Sequence, residues 1–325
     1  MLKRFSVMVI VLVFAFSVAG TVFASGEAPN NPTAPTGNGI GGVVPIIGQQ
    51  VTPLLGGGNL TYHGGPIMHT NVTYAIYWVP AGYSVSAGYV TYINQFFRDV
   101  AAASGATTNV YYAGTQYYSL PGPVHVTSNS SFGGYYLDTH AFPANGCSLY
   151  AGVTKCLGDA QIQAEIRRVM AAKGWVEGPT HMFFMFTPNG VGSCYNSSNC
   201  AFTAYCAYHG YFSGIIYANQ PYTYTKPSAC GVQSFSVTAP HSFAADSTIS
   251  VISHEHNEAI TDFYLVPGHY AWYDNLGYEN GDKCAWIFGP STPLPLGYNQ
   301  VINGHHYILQ EEWSNLTSMC RLTGM

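Results

Sequence analysis

The segment TISVISHEHNEAITDFY, residues 248–264, constrains the fold more than any other part of the chain. It brings His254, Glu255, Glu258 and Asp262 close together in a protein of which only 8% of residues are Asp, Glu, Lys or Arg. Ionised groups taken out of water need a counter-charge, a proton or a metal ion. On a helix, at about 100° per residue, Ile249, Ile252, His256, Ala259, Ile260 and Phe263 fall on one side. His254, Glu258 and Asp262 line the other, each one turn from the next, with Glu255 beside them. Asp246 or Ser247 is the expected N-cap. The segment carries no Lys or Arg among its acids, so the spacing predicts a helix with an apolar back and an ionisable front.

His254 and Glu258 can reach one cation, and Glu255 can then serve as general base on water. That is the logic of the H-E-x-x-H helix of metallopeptidases, with Glu258 standing where the second His would be. The extra carboxylate admits harder cations. Zinc is the expected metal and calcium the alternative. A further ligand is expected from WYDNLGYENGDKCAW, residues 272–286, where Glu279 and Asp282 are the candidates beside Asp274. His209 in CAYHGY is another, although a strand-edge His is the plainer reading. His256 lies among apolar positions and reads as a hydrogen-bonded core residue. The bland alternative for the whole segment is a solvated acidic helix face.

The first residues carry Lys3 and Arg4, an apolar run and the small-residue end Val22-Phe23-Ala24. This pattern predicts a signal peptide over 1–24. Residues 25–58 are rich in Gly and Pro without a period and read as a flexible leader. Residues 59–325 read as a single domain. Eight cysteines, Cys147, Cys156, Cys194, Cys200, Cys206, Cys230, Cys284 and Cys320, suit an exported, disulfide-bonded chain. Cys147 with Cys156 and Cys194 with Cys200 are plausible short-range pairs. Cys206 with Cys230 and Cys284 with Cys320 would complete the set, but spacing alone leaves the connectivity open. Sequons at Asn59, Asn71, Asn129, Asn196 and Asn315 are candidate glycosylation sites. A net charge of −5, with no basic run after the first residues, argues against nucleic acid and against an anionic membrane surface. No later segment is apolar for long enough to span a membrane.

Strands are expected over 71–80, 109–118, 180–188 and 210–220, and helices over 86–104 and 159–174, the latter capped by Asp159 and ended by Gly174.

ISVISHEHNEAITD followed by AWYDNLGYENGDKCAW resembles the plant phosphate-induced protein 1 (EXORDIUM-like) family and related secreted microbial proteins. YHGGPIMHTNVTYAIYW (62–78) and CAYHG (206–210) are similar to further stretches of that pattern. The resemblance implies an exported or cell-wall protein. Together with the HExxE helix it leads us to expect an α+β, zincin-like mixed twisted sheet with a backing helix and an active-site-type helix. Two functions follow as expectations. One is a secreted metal-dependent hydrolase, a zinc peptidase acting on a peptide or cell-surface substrate. The other is a non-catalytic extracellular protein with a structural cation site and a glycan- or partner-binding surface.

Overall fold

The computed structural model describes residues 39–49 and 57–324. The expected signal peptide and most of the expected leader lie outside the described residues. The central element is a six-stranded mixed sheet built from β1 (Ile40–Pro45), β2 (Thr70–Trp78), β3 (Asn129–Asp138), β4 (His181–Phe186), β5 (Tyr205–Phe212) and β6 (Ile215–Gln220). Their order across the sheet is β1-β5-β6-β4-β2-β3. β6, β4, β2 and β3 are parallel, β5 is antiparallel to β6, and β1 is antiparallel to β5.

Helices cover both faces, which explains the unbroken apolar run of β4, HMFFMF: a parallel strand between helical layers has no solvent face. Phe184 and Phe186 pack into the core shared with α1 (Tyr89–Ala102) and α3 (Phe243–Thr261). Phe183 and Met185 pack with Ile162, Ile166 and Val169 of α2 (Asp159–Lys173) on the opposite side. α2 ends as its sequence predicts, with Gly174 in the left-handed region at φ 66°. Asp159 is its first residue rather than its cap, and its carboxylate accepts from the Tyr208 and Tyr217 hydroxyls, each at 2.6 Å.

Four disulfides join Cys147–Cys156, Cys194–Cys200, Cys206–Cys230 and Cys284–Cys320. The last fastens the segment carrying Glu279 and Asp282 to the C-terminal hairpin of Glu312–Ser314 and Met319–Arg321. Among the described residues, no helix is long and apolar enough to cross a membrane. Asn71 is buried and bonded to Ser130 and His256, so that sequon is closed to modification.

Four expectations need correction. Residues 110–116 form a 3-10 helix instead of a strand, because the Asn109 side chain accepts from Tyr111 N at 3.1 Å and starts a turn. Residues 210–220 are not one strand but the junction of β5 and β6. Ser213 and Gly214, at φ 48° and 88°, make the tight turn between them. α3 is capped by Ser242, whose hydroxyl accepts from Ala245 N at 3.2 Å, and not by Asp246 or Ser247. Finally, Ile40–Pro45 of the expected leader is an edge strand: Ile40, Val43 and Val44 are buried, and the glycines between them allow close backbone approach.

Candidate metal centre

α3 is buried all round, at every residue from Ala244 to Thr261. Its many Ala, Ser and Thr positions let neighbouring layers approach closely. The expected apolar back packs against the sheet through Ile249, Ile252, Ala259 and Ile260. The expected ionisable front is real, yet it faces protein, so its charges must be met from within.

His254 and Glu258 converge. His254 Nε2 lies 2.9 Å from Glu258 Oε1 and 3.7 Å from Asp282 Oδ1. Asp282 arrives on the turn after Gly281, and its backbone N–H donates to Glu258 Oε1 at 2.7 Å. Glycine at 281 leaves this room, because a Cβ there would stand 2.9 Å from Glu258 Oε1 and 3.0 Å from the His254 ring and would push both aside.

Glu255 turns to the neighbouring strand, with Oε2 3.1 Å from His209 Nδ1 on β5 and Oε1 3.4 Å from the backbone N of Val44 on β1. His209 also stands 3.6 Å from Glu258 Oε2 and, through Nε2, 3.6 Å from Glu279 Oε2. The two sequence candidates for a further ligand therefore separate. Asp282 joins His254 and Glu258, whereas Glu279 joins His209 and Glu258. Each trio brings its ligand atoms within 4.8 Å of one another, and Glu258 belongs to both.

Asp262 does not join them. It ends α3 and accepts from Ala271 N at 2.8 Å. Asp274 is engaged with Lys283 at 2.7 Å. His256 is the core residue its position predicts, bonded to the Tyr111 hydroxyl at 3.1 Å and Asn71 Oδ1 at 2.9 Å.

Two groups at the centre escape the sequence. Gln310 Nε2 lies 2.6 Å from His254 Nδ1 and donates to the Gly281 carbonyl at 3.1 Å. Glu312 is fully buried near the same His. Both come from the far end of the chain, and no local pattern marks them.

The electrostatics of the centre are one-sided. Among the described residues, no Lys or Arg pairs with Glu255, Glu258, Glu279, Asp282 or Glu312. Burial pushes the carboxyls of Glu255, Glu279 and Glu312 well above the usual range, and that of Asp282 up to about 8. Burial also lowers His209 to about 4. At His254 burial again opposes charge, but Glu258 and Asp282 outweigh it and raise the value.

The residues fit a bound cation. Glu258 Oε2, Asp282 Oδ1 and both Glu279 oxygens are buried without a hydrogen-bond partner, while His254 Nε2 faces the carboxylates of Glu258 and Asp282. Such orphans are costly and rare in folded proteins. A cation at either trio would satisfy several at once. For His254 to ligate through Nε2, Nδ1 must carry the proton. Gln310 turns its Nε2 to both His254 Nδ1 and the Gly281 carbonyl, and its Oε1 to Trp286 N, so ligation through His254 Nε2 would require that amide to move.

No protein-family model matches the chain, and no curated protein or solved structure matches it.

Proposed function

We propose that the protein is an exported metal-dependent hydrolase whose substrate is a peptide. The observation that carries this reading is the convergence of His254, Glu258 and Asp282, with Glu255 alongside, on a buried helix whose ligand-type atoms lack partners. In this reading His254, Glu258 and Asp282 hold the cation and Glu279 is a reserve ligand on the His209 side. Zinc suits a site containing a histidine nitrogen. A bound cation would neutralise the carboxylates and polarise a substrate carbonyl. Glu255 then takes a proton from water as its oxygen attacks the carbonyl carbon. As the C–N bond breaks, Glu255 returns that proton to the leaving amine nitrogen. His209 orients Glu255 from the other side.

A zincin-like arrangement is consistent with α3 following the β5–β6 pair in chain order, after a connection that includes the short helix Pro227–Cys230, and with the antiparallel β5 next to the centre. The four disulfides support an oxidising, extracellular location, in keeping with the resemblance to phosphate-induced protein 1.

One observation favours the second reading, a structural cation site in a non-catalytic extracellular protein: His254, Glu255 and Glu258 have no solvent exposure. A cavity of about 770 Å³ lies elsewhere, around Cys147, Asp159 and Tyr195. Glu255→Gln separates the two readings. A hydrolase keeps its metal and fold but loses turnover. If the wild type and the variant both lack activity on every peptide pool tested and melt at the same temperature, the structural reading stands instead.

A further inference from the structure

What closes the centre is the chain's own first described strand. β1 lies antiparallel along β5, with Ile40 opposite Gly210, Gly41 opposite His209 and Val44 opposite Ala207. The pairing slips between Gly41 and Val43, so that Gly42 is pressed into the cluster. At φ +30°, a Cβ on Gly42 would fall 1.9 Å from Glu258 Oε2 and 2.3 Å from His209 Cε1. Two residues on, the Val44 amide faces Glu255 Oε1. The strand leaves under Trp286, whose indole N–H donates to the Pro45 carbonyl at 2.7 Å, and Ile47 N donates to the Ala229 carbonyl at 2.8 Å.

β1 thus meets the centre with backbone. Main-chain pairing to an edge strand, with pockets for alternate side chains, is how extended peptides are recognised in general. Ile40, Val43 and Val44 fill buried positions on either side of the glycines. The residues β1 covers are those that the proposed chemistry needs: Glu255, Glu258 and His209.

We propose that β1 occupies in cis the channel in which an extended peptide substrate lies, so that the chain described here is a closed form that opens when β1 leaves β5. This rests on the metal-dependent peptidase reading. The occupant it implies is an extended peptide with glycine against Glu258 and His209, flanked by β-branched apolar residues. Without β1, β5 becomes the open edge that receives it.

The test uses the full chain with a site-specific protease sequence substituted for residues 50–56, purified folded and loaded with zinc. Two quantities are read before and after the cut: the rate at which a chromogenic chelator removes zinc, and the binding of a fluorescent peptide of sequence 39–49. Cutting, followed by removal of the released segment, is expected to speed zinc removal on the order of tenfold or more, because access no longer waits on an opening equilibrium. The labelled peptide should bind the cut protein and not the uncut one. The same peptide carrying Gly42→Val should not bind. In the uncut chain, Gly42→Ala should speed zinc removal while a cooperative melt is retained. The proposal is overturned if the cut protein binds no peptide and neither the cut nor Gly42→Ala changes the rate of zinc removal. Zinc content is measured first: an uncut protein that takes up no zinc counts against the metal centre, and peptide binding then decides on the strap by itself.

Discussion

His209 and Glu255 come from different layers of the fold and meet with Nδ1 3.1 Å from Oε2, both fully buried. Burial lowers His209 to about 4, so its ring is neutral. Its Nε2 lies 3.3 Å from the Asp262 carbonyl, which has no proton to give, so Nε2 carries the ring hydrogen. Nδ1 is then a lone pair facing the Glu255 carboxyl, whose proton affinity burial raises; a cation at Glu258 would lower that affinity and leave Glu255 free to accept a proton from water. His209 therefore fixes the orientation of Glu255.

This pairing makes His209 a positioning residue. His209→Gln is expected to keep the metal and to lower kcat more than it changes KM, with the acid limb of the pH profile displaced. Metal content and pH–rate curves check it. Loss of the metal in the variant would show that His209 is a ligand.

Glu255→Gln should lower turnover by roughly 10²- to 10⁴-fold, the usual range for removing a general base, with melting temperature and metal content unchanged. A peptide-pool assay alongside a thermal melt reads both.

Chelation should destabilise the fold. A ligand held at about 100 times its Kd stabilises by roughly 2.7 kcal/mol, which in a chain of this size corresponds to a shift on the order of 5 °C or more. Dialysis against a chelator should lower the melting temperature by that amount, and zinc should restore it. A melt indifferent to both treatments counts against a tightly held ion.

Cys284→Ser/Cys320→Ser removes a crosslink spanning 36 residues. Loop-closure entropy puts the loss at roughly 3–4 kcal/mol. Because Asp282 lies two positions from Cys284, metal affinity should fall with stability. Denaturant titration with and without zinc separates the two effects.

Asp159 gives a pH signature away from the centre. Burial raises its carboxyl above the ordinary 3.8, against the opposing hydrogen bonds of Tyr208, Tyr217 and Gln163. The folded state therefore binds the proton more tightly than the unfolded one. The resulting stability is fully present below the unfolded value and is lost as pH rises through the folded value. Asp159→Asn should remove that decline, so the variant should gain on the wild type as pH rises above the ordinary carboxylate value of 3.8. Denaturation midpoints at several pH values check it.

The candidate centre was half legible in the sequence. His254, Glu255 and Glu258 share one helix, and helical periodicity places them without further information. Glu279 and Asp282 stand out because charges are scarce and a glycine turn carries them. His209 is named by the sequence only as a weaker candidate beside a plain strand-edge reading, because nothing local shows that its strand lies against the helix, where it meets Glu255; β1, which covers that edge, lies in a stretch whose glycines read as a spacer. Those glycines are there for contact: Gly42 touches Glu258 and His209 where any side chain would collide. Gln310 and Glu312 are invisible for a related reason, since long-range contacts bring them in: the Cys284–Cys320 link and the backbone bonds of Glu311 to Ile287 and of Trp313 to Asn280. The strand expected at 109–118 failed because aromatic β-propensity gave way to the Asn109 cap, and the resulting turn is what lets Tyr111 reach His256.

The most direct measurement is elemental analysis of the purified full chain beside a His254→Ala/Glu258→Ala variant. About one zinc per chain, as expected for a single site of this kind, lost in the variant, is the result predicted here. Calcium in its place would favour the structural site. No metal in either protein would contradict the account and leave His254, Glu258 and Asp282 as a buried polar cluster.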